Sequence, residues 1–249
     1  MISCQNISKQ YGSLTALAPV SLDFREGSTT VLIGPSGCGK STLLRILIKL
    51  IDPDSGMVTI NGKILTSDNV ESVRREVGYM VQDGGLFPHL TGRQNVLLLA
   101  KYLGMATGDN NRRLKELADL VQVPLTLLDR YPSALSGGQR QRVSLMRALM
   151  LDPNVLLLDE PMGALDPVTR SDLQMALKEI FSHLKKTVIL VTHDMDEAAY
   201  LSDEVIMMRS GSIVQHGTLE ELIKSPASEF VTQFIRAQRS MLPPLSEDA

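Results

Sequence analysis

The sequence contains no tryptophan and only five tyrosines and five phenylalanines, so the aromatic platforms on which single-stranded nucleic acids stack are missing. Two cysteines, Cys4 and Cys38, are too few for a disulfide scaffold or a four-ligand zinc site. Long apolar runs are absent as well. Val96–Ala100 and Val155–Leu158 fall far short of the roughly 18 residues of a membrane span. There is no basic excess: 25 Lys plus Arg stand against 28 Asp plus Glu, for a net charge of −3, so nucleic acid is not expected as a partner. Met1-Ile2-Ser3-Cys4-Gln5-Asn6 lacks the basic segment and apolar stretch of a secretory signal, which makes the cytosol the expected compartment.

What is present is the composition of a packed α/β chain. Apolar residues make up 43% and charged residues 21% of 249 residues, enough for a sizeable core in one large domain or two small ones. Strand-like runs open the chain at Ile2–Ile7, Val20–Phe24 and Thr29–Ile33, and Met57–Leu65 folds back at Asn61-Gly62, a hairpin signal. From Thr91 to Leu151 the pattern turns helical, with Leu114, Leu117, Ala118 and Val121 at helical spacing. Two apolar strands follow, Val155–Leu158 and Thr187–Thr192, separated by a helix with Leu173, Leu177, Ile180, Phe181 and Leu184 on one face. Strand, helix, strand implies a parallel sheet. Glu204–Arg209 and Ser212–His216 read as a closing hairpin through Ser210-Gly211, and Pro243-Pro244 marks a loose tail.

Gly34-Pro35-Ser36-Gly37-Cys38-Gly39-Lys40-Ser41 fits G-x-x-x-x-G-K-[ST] between the strand ending at Ile33 and a helix expected near Ser41. Such a loop turns its backbone N–H groups around phosphate at a helix N-terminus. Lys40 neutralises the β/γ oxygens, and the Ser41 hydroxyl is suited to Mg²⁺. The nucleotide-binding set runs from Gly34 to Thr42 and includes Cys38, a small tolerated side chain with no part in transfer. Val155–Leu158 runs into Asp159-Glu160, an acidic strand end of the kind that brings Asp159 to the metal and leaves Glu160 to polarise the attacking water. Leu135-Ser136-Gly137-Gly138-Gln139 precedes another helix. Ser136 and Gln139 satisfy a capping box, yet a box needs no paired glycines, and Gly137-Gly138 would admit a phosphate to bare backbone. Ser136 and Lys40 lie far apart in the chain, so a head-to-tail dimer would bring such loops together on one nucleotide.

With these motifs the chain resembles the nucleotide-binding subunits of the ATP-binding cassette family over nearly its whole length. The resemblance implies a P-loop, RecA-like α/β core with an N-terminal antiparallel β subdomain and an inserted helical subdomain. It divides a single ATPase domain, residues 1–249, into a core of 1–88 and 150–225, a helical subdomain of 89–149 and a tail of 226–249. Two copies would sandwich two Mg-ATP, each between one subunit's phosphate loop and its partner's LSGGQ loop, and hydrolysis would drive membrane permease subunits served by a substrate-binding protein. The enzyme would sit in the cytoplasm, peripheral on the inner membrane face. The resemblance further assigns Tyr11 to adenine stacking, Gln82 to Mg²⁺ and water, Asp166 to the dimer interface and His193 to the γ-phosphate. Glu160, His193, Gln82 and Lys40 form the expected catalytic group, and Ser41, Gln82 and Asp159 the expected metal ligands.

Three further segments narrow the resemblance. Gln82–Leu90 is similar to the segment that in importers receives a short helix of the membrane subunit, with Leu86 and Phe87 suited either to that groove or to ordinary packing. Glu160–Arg170 and Pro226–Val231 resemble importers of osmoprotectants such as glycine betaine, choline or carnitine, although Met162 stands where Phe is common there. With fewer than twenty residues following Phe230, neither a regulatory CBS pair nor the barrel domain of sugar and polyamine importers is expected. The alternatives are another small-solute importer ATPase and a DNA-acting ATPase. The second needs a long coiled coil that the segment between the core halves lacks.

Overall fold

The computed structural model describes residues 2–163 and 165–239, apart from the side chains of His183, Leu184 and Arg239. The apolar position expected at Leu184 and the tail around Pro243-Pro244 therefore lie outside the described residues. The chain opens with β1 (Ile2–Tyr11) and β2 (Leu14–Phe24), then β3 (Thr29–Ile33) and α1 (Lys40–Leu47). Next come β4 (Ser55–Ile60), β5 (Lys63–Ile64), α2 (Val70–Arg75) and β6 (Val77–Met80). Three helices follow, α3 (Gly92–Tyr102), α4 (Thr107–Leu120) and α5 (Gly137–Leu149), with short 3-10 turns at Leu125–Asp129 and Pro132–Ala134. The chain then alternates through β7 (Val155–Asp159), α6 (Pro167–Leu184), β8 (Thr187–Val191) and α7 (Met195–Leu201). It closes with β9 (Glu204–Arg209), β10 (Ser212–Gly217), α8 (Leu219–Lys224) and α9 (Glu229–Arg239).

Two sheets result. The smaller is antiparallel in the order β2-β1-β4-β5, and the larger runs β10-β9-β3-β8-β7-β6, parallel except for the β10 edge. Strands β3, β7 and β8 are buried at every position, because both faces of the parallel sheet are covered. Leu32, Leu157, Ile189 and Val191 face a core shared with α1 and the antiparallel sheet. Their neighbours Val31, Ile33, Leu156, Leu158, Val188 and Leu190 face a second core built with α3 to α9. One alternating set of strands thus holds both layers together. Strands β6 and β7 pair directly, Val77 opposite Val155, although α3, α4 and α5 lie between them in sequence. The helical segment is therefore an insertion into an intact parallel sheet.

The structure extends several sequence-based expectations. The first strands run on to Tyr11 and start at Leu14, beyond the apolar stretches that identify them. The helix expected around Arg140 begins at Gly137, directly after the Ser136 cap. Within the segment read as tail, α9 is a helix whose Val231 and Ile235 are buried, and the Arg209 guanidinium lies 4.4 Å from the Phe230 ring centroid.

Cys4 lies within the core shared by the two sheets, and burial pushes its thiol up to about 11. An unfolded thiol ionises near its ordinary value of 9.0, so the stability that Cys4 contributes is complete below that pH and is lost as pH rises through the folded value. Urea unfolding between pH 8 and 11 is expected to show an alkaline loss of order 1 kcal/mol per pH unit that the Cys4→Ala variant lacks. Equal slopes for the two proteins would contradict a buried neutral thiol.

Candidate active site

The loop after β3 is shaped by its surroundings as well as its glycines. Gly39 has φ 106°, and a Cβ there would stand 2.4 Å from the Ala16 carbonyl oxygen of β2, so only glycine fits. The turn joining β9 and β10 supports the loop from the other side, where the Gly211 N–H donates to the Cys38 carbonyl at 3.0 Å. Lys40 starts α1 and is 5% exposed; its ammonium donates to the carbonyls of Gly34 at 2.7 Å and Pro35 at 3.0 Å. Cys38 is buried in the core beneath, as a small side chain fits, with its Sγ 3.7 Å from the Lys40 Nζ.

Asp159 ends β7 fully buried. Its Oδ1 accepts a hydrogen bond from the Ser41 hydroxyl at 2.8 Å, while its Oδ2 has no hydrogen-bond partner. Burial raises the Asp159 pKa, since desolvation disfavours the charged form. A carboxylate oxygen buried without a donor beside a hydroxyl on a phosphate loop is a donor set that suits a hard divalent cation such as Mg²⁺. The next residue, Glu160, has φ 47°, so the chain leaves the strand in a left-handed turn. That turn is fixed by the Glu160 N–H donating to the Val191 carbonyl at 3.0 Å. The Glu160 carboxylate lies 3.4 Å from His193 Nδ1, and His193 follows β8 with its side chain about half exposed.

These elements open a cleft of about 350 Å³ lined by Tyr11, Leu14, Ala16, Ser36, Gly37, Gly39, Lys40, Ser41, Thr42, Gln82 and Glu160. Tyr11 is 48% exposed, with the Lys9 ammonium 5.6 Å from its ring centroid. Gln82 follows β6 and is exposed. Immediately beyond it, Asp83, Gly84 and Gly85 all have positive φ. Helix α5 grips this turn: the Ser144 hydroxyl donates to the Gly84 carbonyl at 2.6 Å, and Arg147 donates to the carbonyls of Gly84 and Gly85 at 2.8 Å each. Leu86 packs partly buried against the core, whereas Phe87 is 44% exposed. Arg147 also lines a neighbouring cleft of about 220 Å³ with Tyr79, Leu98 and Leu99.

Among the other sequence-identified residues, His193 meets this cleft only through its contact with Glu160. Ser136, Gly137, Gly138, Gln139 and Asp166 do not line it. The capping box of Ser136 and Gln139 is formed in full. A Cβ on Gly138 would come within 2.2 Å of the Thr169 methyl group, so this glycine is also required by packing within the chain. Asp166 caps α6, accepting from the Thr169 N–H at 3.0 Å, and its hydrogen bonds to Thr169 lower its pKa. Sequence reasoning gave no role to Arg170 or Asp194. They form an ion pair between α6 and the residue after His193 at 3.3 Å, and nothing in their spacing announces it.

A family model described as "ABC transporter" matches residues 17–163. The glycine betaine/carnitine/choline transport ATP-binding protein OpuCA of Bacillus subtilis (strain 168) is 43% identical over 240 residues, 96% of this chain and 63% of that protein. A sulfate/thiosulfate import ATP-binding protein, CysA of Synechocystis sp. (strain ATCC 27184 / PCC 6803 / Kazusa), is 45% identical over 94% of this chain and 65% of its own length. The chain spans 63% and 65% of the length of these two curated relatives. Among solved structures, the dimeric MJ0796, a bacterial ABC transporter cassette, superposes with a TM-score of 0.81 at 33% identity, covering 88% of this chain and 99% of that one.

Proposed function

The chain belongs to the ATP-binding subunits of ABC transporters, and from that premise we propose that it hydrolyses Mg-ATP to power import of a quaternary-amine osmoprotectant. The observation that carries the hydrolytic half is the meeting of Lys40, Ser41, Gln82 and Glu160 around one cleft. Lys40 and the loop amides hold the phosphates. Ser41, Asp159 and Gln82 are suited to hold Mg²⁺, which when bound neutralises phosphate charge. Glu160 receives a proton from water as the water oxygen bonds to the γ-phosphorus and the bond to the β-phosphate's bridging oxygen breaks, leaving ADP and phosphate. His193, in contact with the Glu160 carboxylate, orients it toward that water. Tyr11 offers an exposed ring to the adenine.

The helical insertion supports a division into a core of 1–88 and 150–225, a helical subdomain of 89–149 and a tail of 226–249. A homodimer would complete each site by placing the partner's Ser136–Gln139 loop on the γ-phosphate. Transmembrane permease subunits would dock beside Leu86 and Phe87, drawing the chain to the cytoplasmic face of the membrane, and a separate substrate-binding protein would deliver the solute. Among the described residues no helix is long and apolar enough to cross a membrane.

Glycine betaine, carnitine or choline are the favoured solutes because the OpuCA match runs through nearly all of this chain. The 45% identity to a sulfate/thiosulfate importer subunit supplies the competing solute class. The native complex, purified through this subunit and placed in liposomes with Mg-ATP inside and its binding protein outside, is expected to accumulate labelled glycine betaine or choline. Accumulation of sulfate alone would overturn the substrate assignment, and uptake of glycine betaine or choline unaffected by omitting ATP would overturn the energy coupling.

A further inference from the structure

His193 sits between two anchored residues. On its N-terminal side, Thr192 is 2% exposed; its N–H donates to the Leu32 carbonyl of β3 at 3.1 Å and its hydroxyl donates to the buried Glu197 carboxyl at 2.5 Å. On the other side, the Asp194 N–H donates to the Thr192 hydroxyl at 3.1 Å. Asp194 Oδ1 caps α7, accepting from the N–H groups of Asp196 at 2.8 Å and Glu197 at 3.3 Å. That leaves Oδ2, which Arg170 Nη1 approaches at 3.3 Å, while Nη2 of the same guanidinium donates to the Leu165 carbonyl at 3.3 Å. Leu165 directly precedes Asp166.

We propose that Arg170 is a positioning residue for His193, bridging the backbone that leads into Asp166 and the carboxylate that follows the histidine. The bridge needs a fork. A lysine has a single ammonium and cannot reproduce two donors in one rigid plane. The Thr192 side of the segment is fixed to β3 and to α7, whereas the Arg170 side is fixed to α6, whose cap is Asp166. A shift of the Asp166 loop therefore moves His193 relative to the Glu160 carboxylate that it contacts. The inference rests on the hydrolytic function and on the partner subunit touching that loop. Through Arg170, closure of the dimer would be felt at the group beside the γ-phosphate.

The test uses the full chain, with single-turnover and steady-state Mg-ATP hydrolysis and fluorescent-nucleotide binding measured on the same preparations. Arg170→Ala is expected to lower kcat about tenfold with KM and nucleotide affinity within about twofold, the size typical of coupling residues remote from ligand. Asp194→Asn keeps the capping oxygen and removes the charge that faces Arg170, so it should show the same split even if Arg170→Ala fails to fold. In a His193→Ala background, Arg170→Ala should change the residual single-turnover rate by less than about twofold, because the residue it acts through is gone. A further tenfold loss there overturns the inference, as does an unchanged kcat in Asp194→Asn. Absence of hydrolysis in the wild-type chain would instead sink the function on which the inference rests.

Discussion

Glu160→Gln is expected to lower steady-state ATP turnover by about 10²–10⁴-fold, the usual contribution of a positioned general base, while leaving ATP binding within a few-fold. Glutamine keeps the size of the side chain at a position where shape matters. The residue occupies a left-handed turn at the end of β7, and a Cβ added to Gly163 would come to 3.2 Å from its Oε2. The amide retains a polar contact to His193 Nδ1, now at 3.4 Å from the carboxylate, but it has no basic oxygen to take the proton of the attacking water. Lys40, Ser41 and Asp159 are untouched, so the phosphates are still held. Bound ATP that cannot be cleaved should then prolong the closed dimer, which size-exclusion chromatography with Mg-ATP would show as a species of twice the subunit mass. A variant that hydrolyses ATP at the wild-type rate would remove Glu160 from the catalytic role.

How far the sequence announces this arrangement depends on how local each feature is. The phosphate loop is legible because every requirement is met within eight consecutive residues: the glycines that permit positive φ, the lysine and the hydroxyl. Val155–Asp159 is legible because a strand covered on both faces must be apolar throughout. By contrast β6, the short strand that delivers Gln82, carries Gly78 and Tyr79 and has no run of its own; pairing with β7 makes it a strand. The same holds for Arg147, whose two bonds to the turn after Gln82 span 62 and 63 residues. Gly138 illustrates a residue with two reasons to be glycine. Its place in the LSGGQ loop is visible in the sequence, whereas its close approach to the Thr169 methyl group depends on how α5 meets α6. Arg170 belongs with the illegible features, since a single arginine on a helix predicts no partner.

The largest consequence of that separation concerns the two loops, and mixing subunits exposes it. Lys40→Ala alone removes the buried cation of the phosphate loop and leaves the Gly34 and Pro35 carbonyls without their donor, so ATP affinity and turnover should both fall by at least about 100-fold. Ser136→Arg alone puts a bulky cation where the helix N-terminus of α5 is exposed. It also costs the capping box, about 1 kcal/mol, which a thermal melt would register. If each ATP lies between one subunit's phosphate loop and its partner's LSGGQ loop, a homodimer of either variant carries one lesion in both sites. A heterodimer of the two carries both lesions in one site and none in the other. Equimolar mixtures should therefore occlude ATP well above either parent, approaching one nucleotide per heterodimer. Occlusion is the sharper readout than turnover, because firing can require both sites to be filled. Were the LSGGQ loop to serve the nucleotide of its own chain, every site in the mixture would keep a lesion, and occlusion would stay at the level of the parents.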